Sequence, residues 1–131
     1  MTSEAIKRNR QELATRLYDL AREALAADRI PDAVELLRAS TAASPHFKTL
    51  ELLGEHLMVR GEVAEGVLYL AAAVGLGRRQ PRARFLLAQA LGTEGEIDDA
   101  LDLLEEALSL NPNYQRAVEL RAQLRKMLLR D

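Results

Sequence analysis

The chain has no cysteine and no tryptophan, and only three tyrosines and two phenylalanines among 131 residues. Without cysteine there is no disulfide, no thiol nucleophile and no thiolate metal ligand, which suits a reducing compartment. Four prolines and seven glycines are few enough to leave long stretches free of helix breakers. No run approaches the roughly 20 apolar residues of a membrane span. The opening "MTSEAIKRNRQEL" lacks the apolar core of a signal peptide and any lipidation box. The expectation is a cytoplasmic protein with no membrane partner. A formal net charge of −2 gives no electrostatic case for a nucleic-acid partner.

What is present is mostly Ala, Leu, Arg and Glu, the strong helix formers. Hydrophobic residues at 48% and charged residues at 29% suit one folded domain over residues 1–131. Fifteen arginines against three lysines, with abundant alanine, fit a GC-rich bacterial genome.

The chain repeats itself three times. Anchored on the small residues Ala33, Gly66 and Ala100, the offsets are 33 and 34 residues. Thirteen residues before each anchor stand Leu20, Leu53 and Leu87, each followed by a small residue: Ala21, Gly54 and Ala88. Three residues before those leucines come Leu17, Leu50 and Arg84, and four after them Ala24, Leu57 and Leu91. Leu37, Leu70 and Leu104 lie four past the anchors, and Pro45, Arg78 and Pro112 eight further on. Such spacings put one apolar face on each of two helices per unit. Between the helices lie the short turns "ADRIPD", "RGEVAE" and "EGEIDD". Pro31 and the acids Asp98 and Asp99 suit a helix start. The small residues let paired helices approach closely, so a larger side chain at Ala100 should overpack. If there is room, Gly66→Ala should gain helix propensity.

The predicted layout is a first helix over Ser3–Ala27, with Ile6, Leu13, Leu17 and Leu20 on one side. Further helices are expected over 31–43, 47–60, 64–75, 82–94, 98–110 and 114–129. The last carries Ala117, Leu120, Leu124 and Leu128 on one stripe and reads as a cap over the open end of the array.

The pattern resembles the tetratricopeptide repeat, whose 34-residue unit runs W-x2-L-G-x2-Y, A-x3-F, P. The units here are Leu17-x2-Leu20-Ala21-x2-Ala24 with Ala33-x3-Leu37 and Pro45, then Leu50-x2-Leu53-Gly54-x2-Leu57 with Gly66-x3-Leu70, then Arg84-x2-Leu87-Ala88-x2-Leu91 with Ala100-x3-Leu104 and Pro112. Aliphatic residues replace the family's aromatics, Arg84 breaks the apolar pattern, and Arg78 replaces a closing proline. The resemblance implies an all-α fold, a right-handed α-solenoid of stacked antiparallel helix hairpins. Its parts would be an N-terminal extension (1–13), repeats at 14–46, 47–80 and 81–114, and a capping helix (115–131).

Other motifs have plain structural explanations. "GLGRRQPRARF" from Gly75 to Phe85 has no preceding strand, as a phosphate loop requires. It reads as a helix end at Gly75 or Gly77 followed by a helix start at Pro81. His46 and His56 lack the further ligands of a zinc site, and His46 reads as a turn or cap residue. Asp98–Asp99 and Glu105–Glu106 are adjacent on helices and diverge, so neither pair meets on one substrate atom. Ser40, Thr41, Ser44 and Ser109 have no activating His–Asp pattern. The expectation is a non-enzyme with no cofactor and no metal.

The resemblance implies instead a concave groove lined by the first helix of each unit. Its candidate residues are Tyr18 and Arg22; Lys48, Glu51, Leu52 and Glu55; and Arg82, Phe85, Leu86 and Gln89. Tyr18, Leu52, Phe85 and Leu86 would be anchors rimmed by Arg22, Lys48 and Arg82. The chaperone-tail carboxylate clamp of some family members uses Lys and Asn in the first unit, Asn in the second and Lys and Arg in the third, where Tyr18, Arg22, Leu52, Arg82 and Leu86 stand here. Only Arg82, and loosely Arg22, suits such a part, so a helix or an extended apolar peptide is the expected ligand. The expected function is a scaffold binding a protein or peptide partner. The alternatives are self-assembly into a homo-oligomer through the solenoid ends, or a small chaperone of secretion-system components.

Overall fold

The computed structural model describes residues 1–130, and among them seven helices and no strand. They are α1 (Ser3–Ala26), α2 (Ile30–Ala43), α3 (Phe47–Val59), α4 (Val63–Leu76), α5 (Pro81–Thr93), α6 (Ile97–Leu110) and α7 (Gln115–Leu129). Helices α1–α2, α3–α4 and α5–α6 pair as hairpins, and successive hairpins pack on one another, giving a helical repeat solenoid.

The three hairpin turns are built alike. Asp28, Gly61 and Gly95 have φ of 59°, 80° and 85°, the left-handed conformation. At each turn this residue and the next donate N–H to carbonyls of the helix just ended: Leu25 and Ala24, Met58 and Leu57, Gly92 and Leu91. This double bond pattern ends a helix and satisfies its last carbonyls. The residues that complete it, Arg29, Glu62 and Glu96, also open the next helix, accepting N–H from the anchors Ala33, Gly66 and Ala100. Turn and helix start are therefore one three-residue device. The left-handed position needed glycine twice; Asp28 takes it at the cost such a conformation carries for a side chain.

Inside the middle hairpin the two backbones nearly touch. A Cβ on Gly54 would lie 2.6 Å from Leu70 Cγ, and one on Gly66 would lie 2.9 Å from Met58 Sδ and 3.2 Å from the Gly54 carbonyl oxygen. The room that would let Gly66→Ala gain stability is absent. Ala21 with Ala33, and Ala88 with Ala100, hold the equivalent places and are fully buried.

Apolar clusters link neighbouring hairpins. Ala21, Val34, Leu37, Leu53 and Leu57 join the first to the second. Leu70, Phe85, Leu86, Leu104, Leu108, Ala117 and Leu124 join the second, third and last elements. Ser40, buried on α2, donates a 2.7 Å hydrogen bond to the Ala14 carbonyl of α1. Between hairpins, Arg38 of α2 makes a two-pronged ion pair with Glu65 of α4.

Two expected stripes behave differently from their prediction. On α1 the deeply buried residues are Ala14, Ala21 and Ala24, while Ile6, Leu13 and Leu20 stay about half exposed. Leu53 and Leu87 are covered by the preceding hairpin, and nothing among the described residues does this for Leu20. On α7, Ala117 and Leu124 are buried, but Leu128 is 42% exposed because the helix runs past the end of α5–α6. Gly77 caps α4 and packs beneath the Phe47 ring, where a Cβ would meet the ring at 2.8 Å; Pro81 opens α5. His46 caps α3, its Nδ1 accepting from the Lys48 N–H at 3.1 Å.

Candidate functional site

The first helices of the hairpins, α1, α3 and α5, form one wall. A cavity of about 620 Å³ opens there, lined by Tyr18, Arg22, Leu25 and Ala26 of α1, Lys48, Glu51 and Leu52 of α3, and Arg82 of α5. Six of the ten expected residues therefore converge: Tyr18, Arg22, Lys48, Glu51, Leu52 and Arg82. Helical spacing explains it, since Tyr18 and Arg22, or Lys48 with Glu51 and Leu52, share one face of their helix.

Charge in this wall is mostly committed. Arg82 reaches from α5 back to α3, bonding Glu55 at 2.9 Å and Glu51 at 3.4 Å. Burial works against the Arg82 charge, but the hydrogen bond and charge of Glu55, and then Glu51, outweigh it and hold the guanidinium more firmly protonated. Glu51 is 5% exposed, and its Oε1 is buried with no partner. Burial raises its pKa above the ordinary carboxylate value against the pull of Arg82. Arg22 lies over the Tyr18 ring at 6.0 Å, and Lys48 is exposed at the rim. Neither cation takes part in an ion pair among the described residues.

Phe85 and Leu86 do not line the groove as expected. They are 2% and 3% exposed and belong to the core. The start of α7 covers this part of α5: the Tyr114 ring stands 5.3 Å from Phe85, and the Arg116 guanidinium lies 4.7 Å above the Phe85 ring. Gln89 is exposed beyond the cavity, and Glu55 is spent on Arg82.

Sequence reasoning missed Tyr114 and Arg116. Tyr114 stands among Arg82, Arg116, Glu51 and Glu55, and burial raises its pKa. The signal was in the repeat register. Counting 33 residues on from Arg84, Leu87 and Leu91 gives Ala117, Leu120 and Leu124, so α7 continues the wall as the first helix of a further unit.

Among the described residues no group of three or more His, Asp or Glu could hold a metal ion, and no helix is long and apolar enough to cross a membrane. Tetratricopeptide-repeat models match residues 18–83 and 81–124. No curated protein matches the chain in sequence. Among solved structures, the chain is similar to the first such domain of Spaghetti (RPAP3) bound to the HSP90 peptide SRMEEVD, with TM-score 0.86 and 17% identity over 91% of this chain and 95% of that one. It is similar to the OM64 domain of Arabidopsis, with TM-score 0.83 and 14% identity over 89% and 98%. It is also similar to YrrB, described as having an unusual peptide-binding site, with TM-score 0.77 and 21% identity over 85% and 58%.

Proposed function

Since the chain belongs to the tetratricopeptide-repeat family, whose model spans residues 18–83, we propose that it is an interaction module whose α1–α3–α5 groove binds a segment of a partner protein. The observation that carries this reading is the cavity itself. Tyr18, Leu25 and Leu52 offer apolar surface, while Arg22 and Lys48 stand uncommitted beside it. A segment that sets an apolar side chain on Leu52 with an acidic residue beside it matches both. The peptide-bound relative, solved with SRMEEVD, and the peptide-binding site described for YrrB support a peptide ligand in general.

Peptides selected from a random library on the immobilised protein provide the test. Selected binders should lose at least about tenfold in affinity, by fluorescence titration, to Leu52→Glu and to the Arg22→Glu, Lys48→Glu double variant. Ala39→Glu, an equal charge on the exposed face of α2, should bind as the parent does. Binders indifferent to both groove variants would sink the proposal.

A further inference from the structure

The outer face of α4 has lost the charge its neighbours carry. Two residues past the three anchors stand Glu35, Leu68 and Asp102; six past them stand Ala39, Ala72 and Glu106; two before them stand Pro31, Ala64 and Asp98. In the middle hairpin every one of these outward positions is apolar, and Leu68 is 71% and Leu76 56% exposed. A helix apolar all round is ordinarily buried all round. The rim of this stripe is acidic. Glu65 points back to Arg38 of the preceding hairpin. Asp99 holds the same place one hairpin on, but there Ala71 replaces the arginine, and Asp99 has no cation to meet. Asp98, Asp99 and Asp102 take no part in any ion pair among the described residues.

The chain itself carries the complement. Ile6, Leu13 and Leu20 recur every seven residues along α1 and are 44%, 48% and 49% exposed. Arg10 and Arg16 flank this stripe, about 60° to either side of Leu13 around the helix, and neither is in an ion pair among the described residues. Ile6 to Leu20 spans about 21 Å and Ala64 to Leu76 about 18 Å along their helices, so the lengths match. Two α4 faces would set acid against acid, and two α1 faces base against base.

We propose that the α4 face of one copy receives the α1 stripe of a second copy, with the arginine on the flank that faces α6, Arg10 or Arg16 according to the sense in which the two helices run, against Asp99 and Asp102. Such a contact joins unlike surfaces and leaves one face of each kind free on every pair. Growth then continues until the string closes into a ring or stays open.

Mixing two blocked variants tests it. The mass of the unmodified chain, by sedimentation, should rise with concentration beyond a dimer. Leu13→Glu and Leu68→Glu should each stay monomeric, because each lacks one face, and each should keep the helical circular dichroism signal. Mixed, they still hold one good contact and should form a 1:1 dimer that grows no further. A pair that stays monomeric on mixing, or either variant dimerising alone, overturns the proposal, as does a parent chain that is monomeric throughout. Charge reversal gives a second route that leaves the leucines intact. Arg10→Glu with Arg16→Glu, and Asp99→Lys with Asp102→Lys, should each abolish association alone and restore it when combined; no restoration overturns the pairing.

Discussion

At Gly54 and Gly66 a single missing methyl group sets how closely α3 and α4 can approach. The two sites differ in what a new Cβ would meet. At Gly54 it would overlap the branch point of Leu70, which is fully buried and cannot retreat. Gly54→Ala should therefore cost about 1–3 kcal/mol. At Gly66 the nearest atom is the sulfur of Met58, a flexible side chain, with the Gly54 carbonyl behind it. Gly66→Ala should come within about 1 kcal/mol of neutral, helix propensity offsetting the squeeze. Thermal melts of both variants check this; a stabilised Gly54→Ala would refute it. Asp28 presents the opposite case. It adopts a φ of 59° where its two counterparts are glycine, so Asp28→Gly should raise the melting temperature by relieving that conformation. A lower melting temperature would mean that the aspartate makes good its strain elsewhere.

Among the elements, the outermost helices depend most on what lies beside them. Helix α7 covers the last hairpin through Ala117 and Leu124, with Leu124 Cδ2 lying 3.2 Å from where a Cβ on Gly92 would stand. Burial of these side chains is worth on the order of 2–4 kcal/mol. Ending the chain before Gln115 should lower the melting temperature accordingly and raise binding of an apolar dye such as ANS; an unchanged melt with no added dye binding would deny α7 a covering role. The same elements show what the sequence made legible. Helix positions and the anchors Ala33, Gly66 and Ala100 followed from periodicity, because apolar spacing states which side of a helix faces inward. Exposure of Leu20 and Leu128 did not follow, because periodicity cannot say whether a neighbour is there to cover the face. For the same reason six of the expected residues line one cavity while Phe85 and Leu86 lie in the core: only the position of α7 over α5 decides whether an apolar side chain there is open or buried.

Across the whole molecule, two glutamates on opposite sides of the ordinary carboxylate value should shape stability against pH. Burial raises Glu51. Between the ordinary and the raised value the folded chain keeps a proton that the unfolded chain has released, so stability falls as pH climbs through that window. Glu65 is lowered, chiefly by its hydrogen bond from Arg38. Its contribution is complete above the unfolded value and is lost as pH drops through the folded one. Melting temperatures measured from about pH 3 to about 8 should pass through a maximum near pH 4 to 5, around the ordinary carboxylate value. Glu51→Gln should flatten only the limb above the maximum, and Glu65→Gln only the limb below; either variant flattening both limbs would contradict the assignment. The hairpin turns have a consequence for how this chain can change in length. Each turn is three residues, 27–29, 60–62 and 94–96, and the third of them both closes one helix and opens the next. An added residue there would break two helix ends together. The seams between hairpins are looser, three residues at 44–46 but four at 77–80 and four at 111–114. Hence the offset of 33 in one unit and 34 in the next: insertions and deletions are absorbed at the seams, where a foreign segment could be spliced with both hairpins left whole.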